Sequence, residues 1–397
     1  MPLSVGLVVP HIFMQDDILP NVIFSPGELA KDLADELVNK AVDVTLFSPG
    51  QVTTKAKNIT ANLEPFKSEL SLRGDTYLEL LKKHPLTFIT LARQVQSELI
   101  ARAYELANQD QFDVIHIYTN EEDIALPFAQ FCKKPVVFTH HDPFNFLVGY
   151  RANFPKYKDL NWLSISNSQR TSMPQDTNWI GNIYHGLDED IWPQQTVKKA
   201  DYVAFIGRVI EPKGVHLAIQ AVQHYNQTAK TPLRLKIAGK HYHGDSKNSY
   251  WQTTIEPLLE DPNIEYVGFI KDIAKKQAFL SKAKALLIPS TFAEPFGMVM
   301  IEALACSTPV IGLNSGAIPE VISEGKTGFI VKKRMLKNAS GKEVVDTDTI
   351  YELAETLRKI NTLDPDDCRA EFIKRYTLEK MASGHKKVYE EVKASSC

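Results

Sequence analysis

Short apolar runs rich in β-branched residues alternate along this chain with stretches whose apolar positions recur every three or four residues. That alternation predicts parallel sheets wrapped by helices. In the first half the runs predict strands at Val5 to Val9, Val42 to Phe47, Val114 to Ile117, Pro135 to Thr139 and Leu163 to Ser166. Between the first two, Leu29, Leu33 and Leu37 with Ala30 and Ala34 mark one helical stripe. Phe88, Leu91, Ala92, Val95, Leu99, Ala103 and Leu106 mark another, and both stripes read as faces packed on a sheet. A polar, proline-containing stretch from Asp190 to Asp201 interrupts the pattern, which restarts at Tyr202 to Ile206. Further strands are predicted at Leu233 to Ile237, Ile264 to Val267, Ala285 to Ile288 and Pro309 to Gly312. The fold class is therefore α/β, two doubly wound domains with a boundary near residue 190. Ligands of such sheets collect beyond the strands' carboxyl ends, here expected to face a cleft between the domains.

Composition narrows the classes without choosing among them. A length of 397 residues suits two α/β domains, and 44% hydrophobic with 23% charged residues is that of an ordinary folded protein. The net charge of -3 gives no pull toward nucleic acid, so no nucleic-acid partner is expected and any bound anion needs a local site. Cys132, Cys306, Cys368 and Cys397 lie far apart without ligand spacing, which predicts neither a disulfide framework nor a zinc site. The amino-terminal MPLSVGLVVPHIF has no basic leader and no run approaches membrane-spanning length, so a cytoplasmic protein with a first buried strand is expected.

Candidate chemistry concentrates after three strands. The segment STFAEPFGMVMIEALA, Ser290 to Ala305, follows a buried strand; Pro295 suits a helix start and Gly297 admits a ligand close to the backbone. Amide groups near Gly297, Met298 and Val299 would form an anion site at the helix N-terminus, with Glu294 before it and Glu302 one turn in. One carboxylate could hold sugar hydroxyls and the other a ribose diol. Taken alone, the pair reads more readily as a solvated loop residue and a charge near a helix dipole. A second anion site is suggested by FIGRVIEPKG: Arg208 offers a planar fork, Lys213 a mobile charge, and Gly207 and Gly214 relieve crowding. In THHDP, His140 or His141 at a strand end could hydrogen-bond a sugar or move a proton, though a loop histidine is the plainer reading. Gly27 could let a substrate approach the N-terminus of the first helix, or serve a simple turn. His241, His243 and Asp245 have a spacing that invites a metal but lack a fourth ligand, and no metal is expected.

In order, these segments resemble the glycosyltransferase family 4 group, retaining transferases of the GT-B fold. The resemblance rests on VIHIY, PVVFTHHD, SISNSQR, NIYHGLDED, IGRVIEPKGVHLAIQAV, LKIAGK, EYVGF and above all EPFGMVMIEALACSTPVIGLNSGAIPEVISEGKTGFIV, and so covers most of the chain. It implies two Rossmann-like domains: residues 1–190 on the acceptor side, 191–375 binding a nucleotide-sugar donor, and 376–397 a helix returning to the first domain. It implies that Glu294 contacts the transferred sugar and Glu302 the nucleotide ribose. Phe296, Gly297 and Met298 would offer backbone amides, and Arg208 and Lys213 would stabilise the departing diphosphate in place of a metal. His141 matches the family's first-domain histidine, His140 being the competing register, and Gly27 matches the glycine-rich loop near the donor phosphate. The sequence departs from the family where Pro26-Gly27 replaces paired glycines, at Ser307 in a glycine position, and at Ala317 before Pro319-Glu320.

The expected function is metal-independent, retaining transfer of a hexose, glucose first, from a nucleotide diphosphate donor, UDP-linked, to a hydroxyl acceptor. No cofactor is expected. The alternatives are a phosphorylase or disaccharide synthase of the same fold, and a non-catalytic two-lobed sugar-binding protein. Nothing in residues 51–76 or 144–157 identifies the acceptor, be it a sugar, a glycan or a lipid-linked group. Peripheral membrane contact stays open, though no strongly basic amphipathic face supports it.

Overall fold

The computed structural model describes residues 2–19, 22, 24–119, 122–195, 197–241, 250–338 and 341–395. Contacts divide the chain into two units: Met1–His185 with Leu378–Cys397, and Gly186–Thr377.

Unit 1 is built on seven parallel strands: β1 (Ser4–Val8), β2 (Asp43–Ser48), β3 (Lys57–Thr60), β4 (Val114–Tyr118), β5 (Val136–Thr139), β6 (Asn161–Ser164) and β7 (Trp179–Asn182). Their order across the sheet is β3-β2-β1-β4-β5-β6-β7. The central strands β4 and β5 are buried at every position. Covered on both faces, such strands read as unbroken apolar runs. The helices are α1 (Ser25–Asn39), α2 (Glu64–Arg73), α3 (Tyr77–Lys83), α4 (Pro85–Asn108), α5 (Glu122–Ala125) and α6 (Val148–Asn153). α1 carries Pro26 in its first turn, where a missing N–H costs nothing, and buries the predicted Leu29, Leu33 and Leu37 stripe.

Unit 2 holds β8 (Tyr202–Ile206), β9 (Arg234–Ala238), β10 (Ile264–Gly268), β11 (Leu286–Ile288), β12 (Val310–Leu313) and β13 (Gly328–Val331), parallel in the order β10-β9-β8-β11-β12-β13. A small antiparallel hairpin, β14 (Met335–Lys337) with β15 (Glu343–Val345), follows. Its helices are α7 (Val215–Thr228), α8 (Ile273–Lys282), α9 (Met298–Ala305), α10 (Ile318–Val321), α11 (Thr347–Leu357) and α12 (Pro365–Arg375).

The last helix, α13 (Leu378–Ser395), returns to unit 1. It buries Met381, Ala382, His385, Val388 and Tyr389, and the Tyr389 hydroxyl lies 2.7 Å from Nδ1 of buried His116 on β4. Ion pairs from Lys40 to Glu379 at 2.7 Å and from Lys393 to Asp113 at 2.8 Å fasten it to the ends of α1 and β4.

The predicted strands lie within a few residues of observed ones. β3, β7, β13 and the hairpin strands β14 and β15 were not predicted: β3, β7, β14 and β15 have no fully buried residue, and β13, GFIV, is a short run that directly follows a turn. In each sheet the strand order reverses beside the first strand, between β1 and β4 and between β8 and β11. Loops leaving those two carboxyl ends diverge to opposite faces and open a crevice.

Candidate functional site

In unit 2 both chemistry-bearing loops leave the strands that flank this reversal. The first follows β8. Gly207 donates its N–H to the Ala238 carbonyl at 3.0 Å, and a Cβ on Gly239 would lie 1.8 Å from the Gly207 carbonyl oxygen, so two loops touch backbone to backbone. Arg208 is exposed, and its side chain makes no hydrogen bond or ion pair with any described residue. The loop then forms a turn over Glu211–Lys213 that ends at Gly214, with φ of 72°. A Cβ at Gly214 would lie 2.0 Å from the carbonyl oxygen of Pro289, just beyond β11. Glycine is therefore required on two counts, a left-handed backbone and a close approach. Thr291 completes the join by donating its N–H to the Pro212 carbonyl at 2.8 Å.

That join brings Lys213 onto Glu294. The Lys213 ammonium lies 2.5 Å from Oε1 of Glu294 and 4.8 Å from the centre of the Phe292 ring. The Ser290 hydroxyl donates to the same Oε1 at 2.8 Å, while Oε2 accepts nothing from the described residues. The far side of Glu294 is strapped by the loop after β12. Gly316, φ 58°, has room for no side chain because a Cβ would lie 2.2 Å from the Glu294 nitrogen. Ala317 donates its N–H to the Glu294 carbonyl at 2.8 Å with an ordinary helical φ of -78°, so alanine suits that position. Ser307 does adopt the left-handed backbone of the glycine it replaces, φ 53°, and its carbonyl is held by Lys199 at 2.9 Å.

The helix start differs from expectation. α9 begins at Met298 with Gly297 as its cap at φ 90°, so Pro295 sits three residues ahead of the helix and shapes the loop. Among the described residues the N–H groups of Gly297, Met298 and Val299 donate to no backbone carbonyl, as the first amides of a helix must. Phe296 is buried with its ring 6.2 Å from that of Tyr376, leaving the backbone as its polar surface. Glu302 is buried inside α9 and takes a hydrogen bond from Lys276 of α8 at 2.8 Å. Lys213 and Glu294 thus meet at the join of the two loops, with Arg208 near the start of the first and the α9 amides at the end of the second.

Unit 1 contains the predicted histidines, and the two are separated by their surroundings. His140 is enclosed by the rings of Phe144, Tyr150 and Phe154, each about 5 Å away, and burial pushes its pKa down to about 4. His141 instead stacks on His185 at 5.2 Å and meets Tyr118 edge-on at 4.4 Å. Burial, reinforced by His185 and further histidines, holds His141 well below the usual value, and it is neutral at pH 7. A neutral imidazole can donate and accept a hydrogen bond but carries no charge to a ligand. Gly27 is buried in the first turn of α1, where a Cβ would lie 2.5 Å from the Phe24 ring and 3.1 Å from Leu19, so the packing of that turn by itself requires glycine. His241 stacks on Trp251 at 4.0 Å; His243 and Asp245 lie outside the described residues.

Sequence reasoning missed Ser290, Lys276, Gly316 and His185. Ser290 and Gly316 lie inside quoted motifs, where a hydroxyl four residues before Glu294 and a glycine after a strand were available signals. His185 also lies inside a quoted motif, NIYHGLDED, but its partner is 44 residues away; Lys276 carries no signal, since its partner is 26 residues away and only the fold joins them.

Comparison with known proteins places this geometry among relatives. Residues 188–375 match the family described as glycosyl transferases group 1. An uncharacterized glycosyltransferase of Methanocaldococcus jannaschii is 30% identical over 344 residues, 79% of this chain and 82% of that protein. Other curated relatives match over shorter stretches, and in these matches the chain spans about half of their length. The sucrose-phosphate synthase of Thermosynechococcus elongatus has a similar fold, TM-score 0.68 at 16% identity, over 99% of this chain and 100% of that one. The Anabaena protein HepE, solved in complex with UDP-glucose, gives a TM-score of 0.62 at 15% identity, over 98% of each chain. No described helix is long and apolar enough to cross a membrane.

Proposed function

This chain belongs to the glycosyl transferases group 1, with the GT-B architecture of two Rossmann-like units, and from that premise we propose that it is a retaining hexosyltransferase. The donor we assign is UDP-linked, with glucose the first choice, and the acceptor is a hydroxyl. The observation that carries this reading is the meeting of Lys213 and Glu294 at the strand reversal of unit 2, beside exposed Arg208 and the open amides of α9. Anion-stabilising groups and a hydroxyl-binding carboxylate are thereby held at one edge, which is what cleavage of a sugar–phosphate bond requires.

In this proposal the bond between the anomeric carbon and the phosphate oxygen breaks, and its electron pair stays on that oxygen. Arg208, Lys213 and the amides of Gly297, Met298 and Val299 receive the developing charge. Glu294, with Oε1 engaged by Lys213 and Ser290, keeps Oε2 for hydroxyls of the departing sugar. The acceptor oxygen bonds to the same face of the carbon, and its proton passes to the leaving phosphate oxygen, so configuration is retained. Neutral His141 is assigned a hydrogen bond to a sugar hydroxyl, and Glu302 the ribose. Because the chain supplies its own cations, we propose that no metal takes part. A cytoplasmic location accords with Cys306 and Cys368, buried as free thiols.

The reading is tested by turnover on UDP-, GDP- and ADP-glucose against glucose 1-phosphate, with and without EDTA. Sugar phosphates belong among the acceptors tried, since one structural neighbour is named for such a product. Transfer from UDP-glucose, insensitive to EDTA and giving a product of the donor's anomeric configuration, is expected. Turnover confined to glucose 1-phosphate would replace it with the phosphorylase reading.

A further inference from the structure

The carboxylate of Glu302 has two oxygens in unlike circumstances. Oε1 accepts a hydrogen bond from the ammonium of Lys276 at 2.8 Å. Oε2 is shielded from solvent and accepts no hydrogen bond from any described residue. A buried carboxylate oxygen without a donor is a standing cost to the folded state, and it is relieved when a ligand supplies one. Glu302 lies five residues beyond Gly297, about 7.5 Å along the axis at roughly 1.5 Å per residue. That is the reach from a diphosphate seated on the open amides of α9 to the pentose attached to it.

Lys276 is itself held in place. It projects from α8, which Asp272 caps by accepting the Lys275 N–H at 2.7 Å, and its ammonium stands 5.8 Å from the centre of the Trp192 ring. Trp192 is in turn tied to α9, because Arg369 donates to the carbonyls of both Trp192 and Ala305. A lysine side chain left to itself samples many rotamers; one wedged between an indole and a carboxylate does not.

We propose that Lys276 is a positioning residue that commits one oxygen of Glu302, so that the carboxylate offers the other to a single hydroxyl of the pentose of a nucleoside diphosphate. This rests on the reading of Glu302 as the ribose partner and sharpens it. A carboxylate free to turn would engage both hydroxyls of a vicinal diol interchangeably. One with Oε1 already taken engages one hydroxyl strongly and the other weakly.

Calorimetric titration of the full chain with UDP, 2′-deoxy-UDP and 3′-deoxy-UDP reads this directly. In the parent protein, deleting one of the two hydroxyls is expected to weaken binding roughly tenfold or more, the usual loss of a hydrogen bond to a charged group. Deleting the other is expected to weaken it about threefold or less. In Lys276→Met the two losses should become similar, while Lys276→Arg should keep the parent's preference. A merely structural lysine would weaken all three nucleotides in proportion and leave their ratios alone. Parent-like ratios in Lys276→Met overturn the positioning role and leave Glu302 as the ribose partner. Equal binding of all three nucleotides by the parent overturns the ribose assignment and the positioning role together, as does failure to bind UDP. Should Lys276→Met not fold, Lys276→Gln is read by the same ratios: similar losses for the two hydroxyls support the role and parent-like ratios overturn it, as does a preference that survives Glu302→Gln.

Discussion

Replacing Lys213 by alanine separates what the lysine does for folding from what it does for the reaction. The ammonium is 2.5 Å from a carboxylate whose side chain is 6% exposed, while the lysine is itself 20% exposed. Removing one partner of a fully buried pair costs about 3–5 kcal/mol, and a partly exposed lysine, with the Ser290 bond remaining, puts this pair at about 2–3 kcal/mol. For a unit of this size that is roughly 4–12 °C of melting temperature. Loss of one preorganised charge at the leaving group is expected to lower turnover about 10²–10³-fold, or roughly 2.7–4 kcal/mol. Turnover of UDP-glucose is measured at 25 °C beside a thermal melt, so that the folded fraction is known. The double variant Lys213→Ala with Glu294→Gln removes the stranded charge, and it should recover most of the melting temperature and none of the rate. Turnover of Lys213→Ala within about threefold of the parent would refute the reasoning, and so would a double variant that regains both.

Two further outcomes follow from the geometry. Gly214→Ala forces a Cβ into the Pro289 carbonyl on a left-handed backbone, and the backbone conformation alone costs about 1–2 kcal/mol. Urea unfolding should show a loss above about 2 kcal/mol with weaker UDP binding as Lys213 is displaced, and a loss under about 0.5 kcal/mol would contradict the close approach. Acid should unfold unit 1: burial holds His140 and His385 at about 4 and His185 at about 3, and keeps His116 and His141 well below their ordinary value. The unfolded chain takes up these protons near pH 6.5 and the folded one does not, so stability is whole above that pH and falls as pH drops toward the folded values. At about 1.4 kcal/mol per pH unit for each histidine, unit 1 should open by about pH 5. Hydrogen exchange read peptide by peptide checks it, and unit 1 amides as protected at pH 4.5 as at pH 7 would sink it.

How much of this was legible beforehand depended on how local the signal was. β8, YVAFI, and the Leu29 stripe of α1 announce themselves because burial on two faces or on one leaves its own periodicity in a few residues. β3, KNIT, gains its strand character only from pairing with β2 at the sheet edge. The glutamates and basic residues of the two unit 2 loops stand in recognisable order, yet the contact between Lys213 and Glu294 joins positions 81 residues apart. Gly27 could be read only as two alternatives, a ligand's approach or a simple turn, because the Phe24 ring that a Cβ there would meet at 2.5 Å is brought up by the local fold.

The return of α13 to unit 1 has a consequence for how the protein is made. β4 reaches the growing chain's surroundings long before the tyrosine that will meet His116, and all of unit 2 is synthesised in between. With 273 residues between His116 and Tyr389, at about 5–20 residues per second the wait is roughly 14–55 s, during which the face destined for Met381, Val388 and Tyr389 stays uncovered. Unit 2 is contiguous and has no such wait. The later unit on the ribosome is thus the first that can finish, and the nascent first unit is the one in need of shelter.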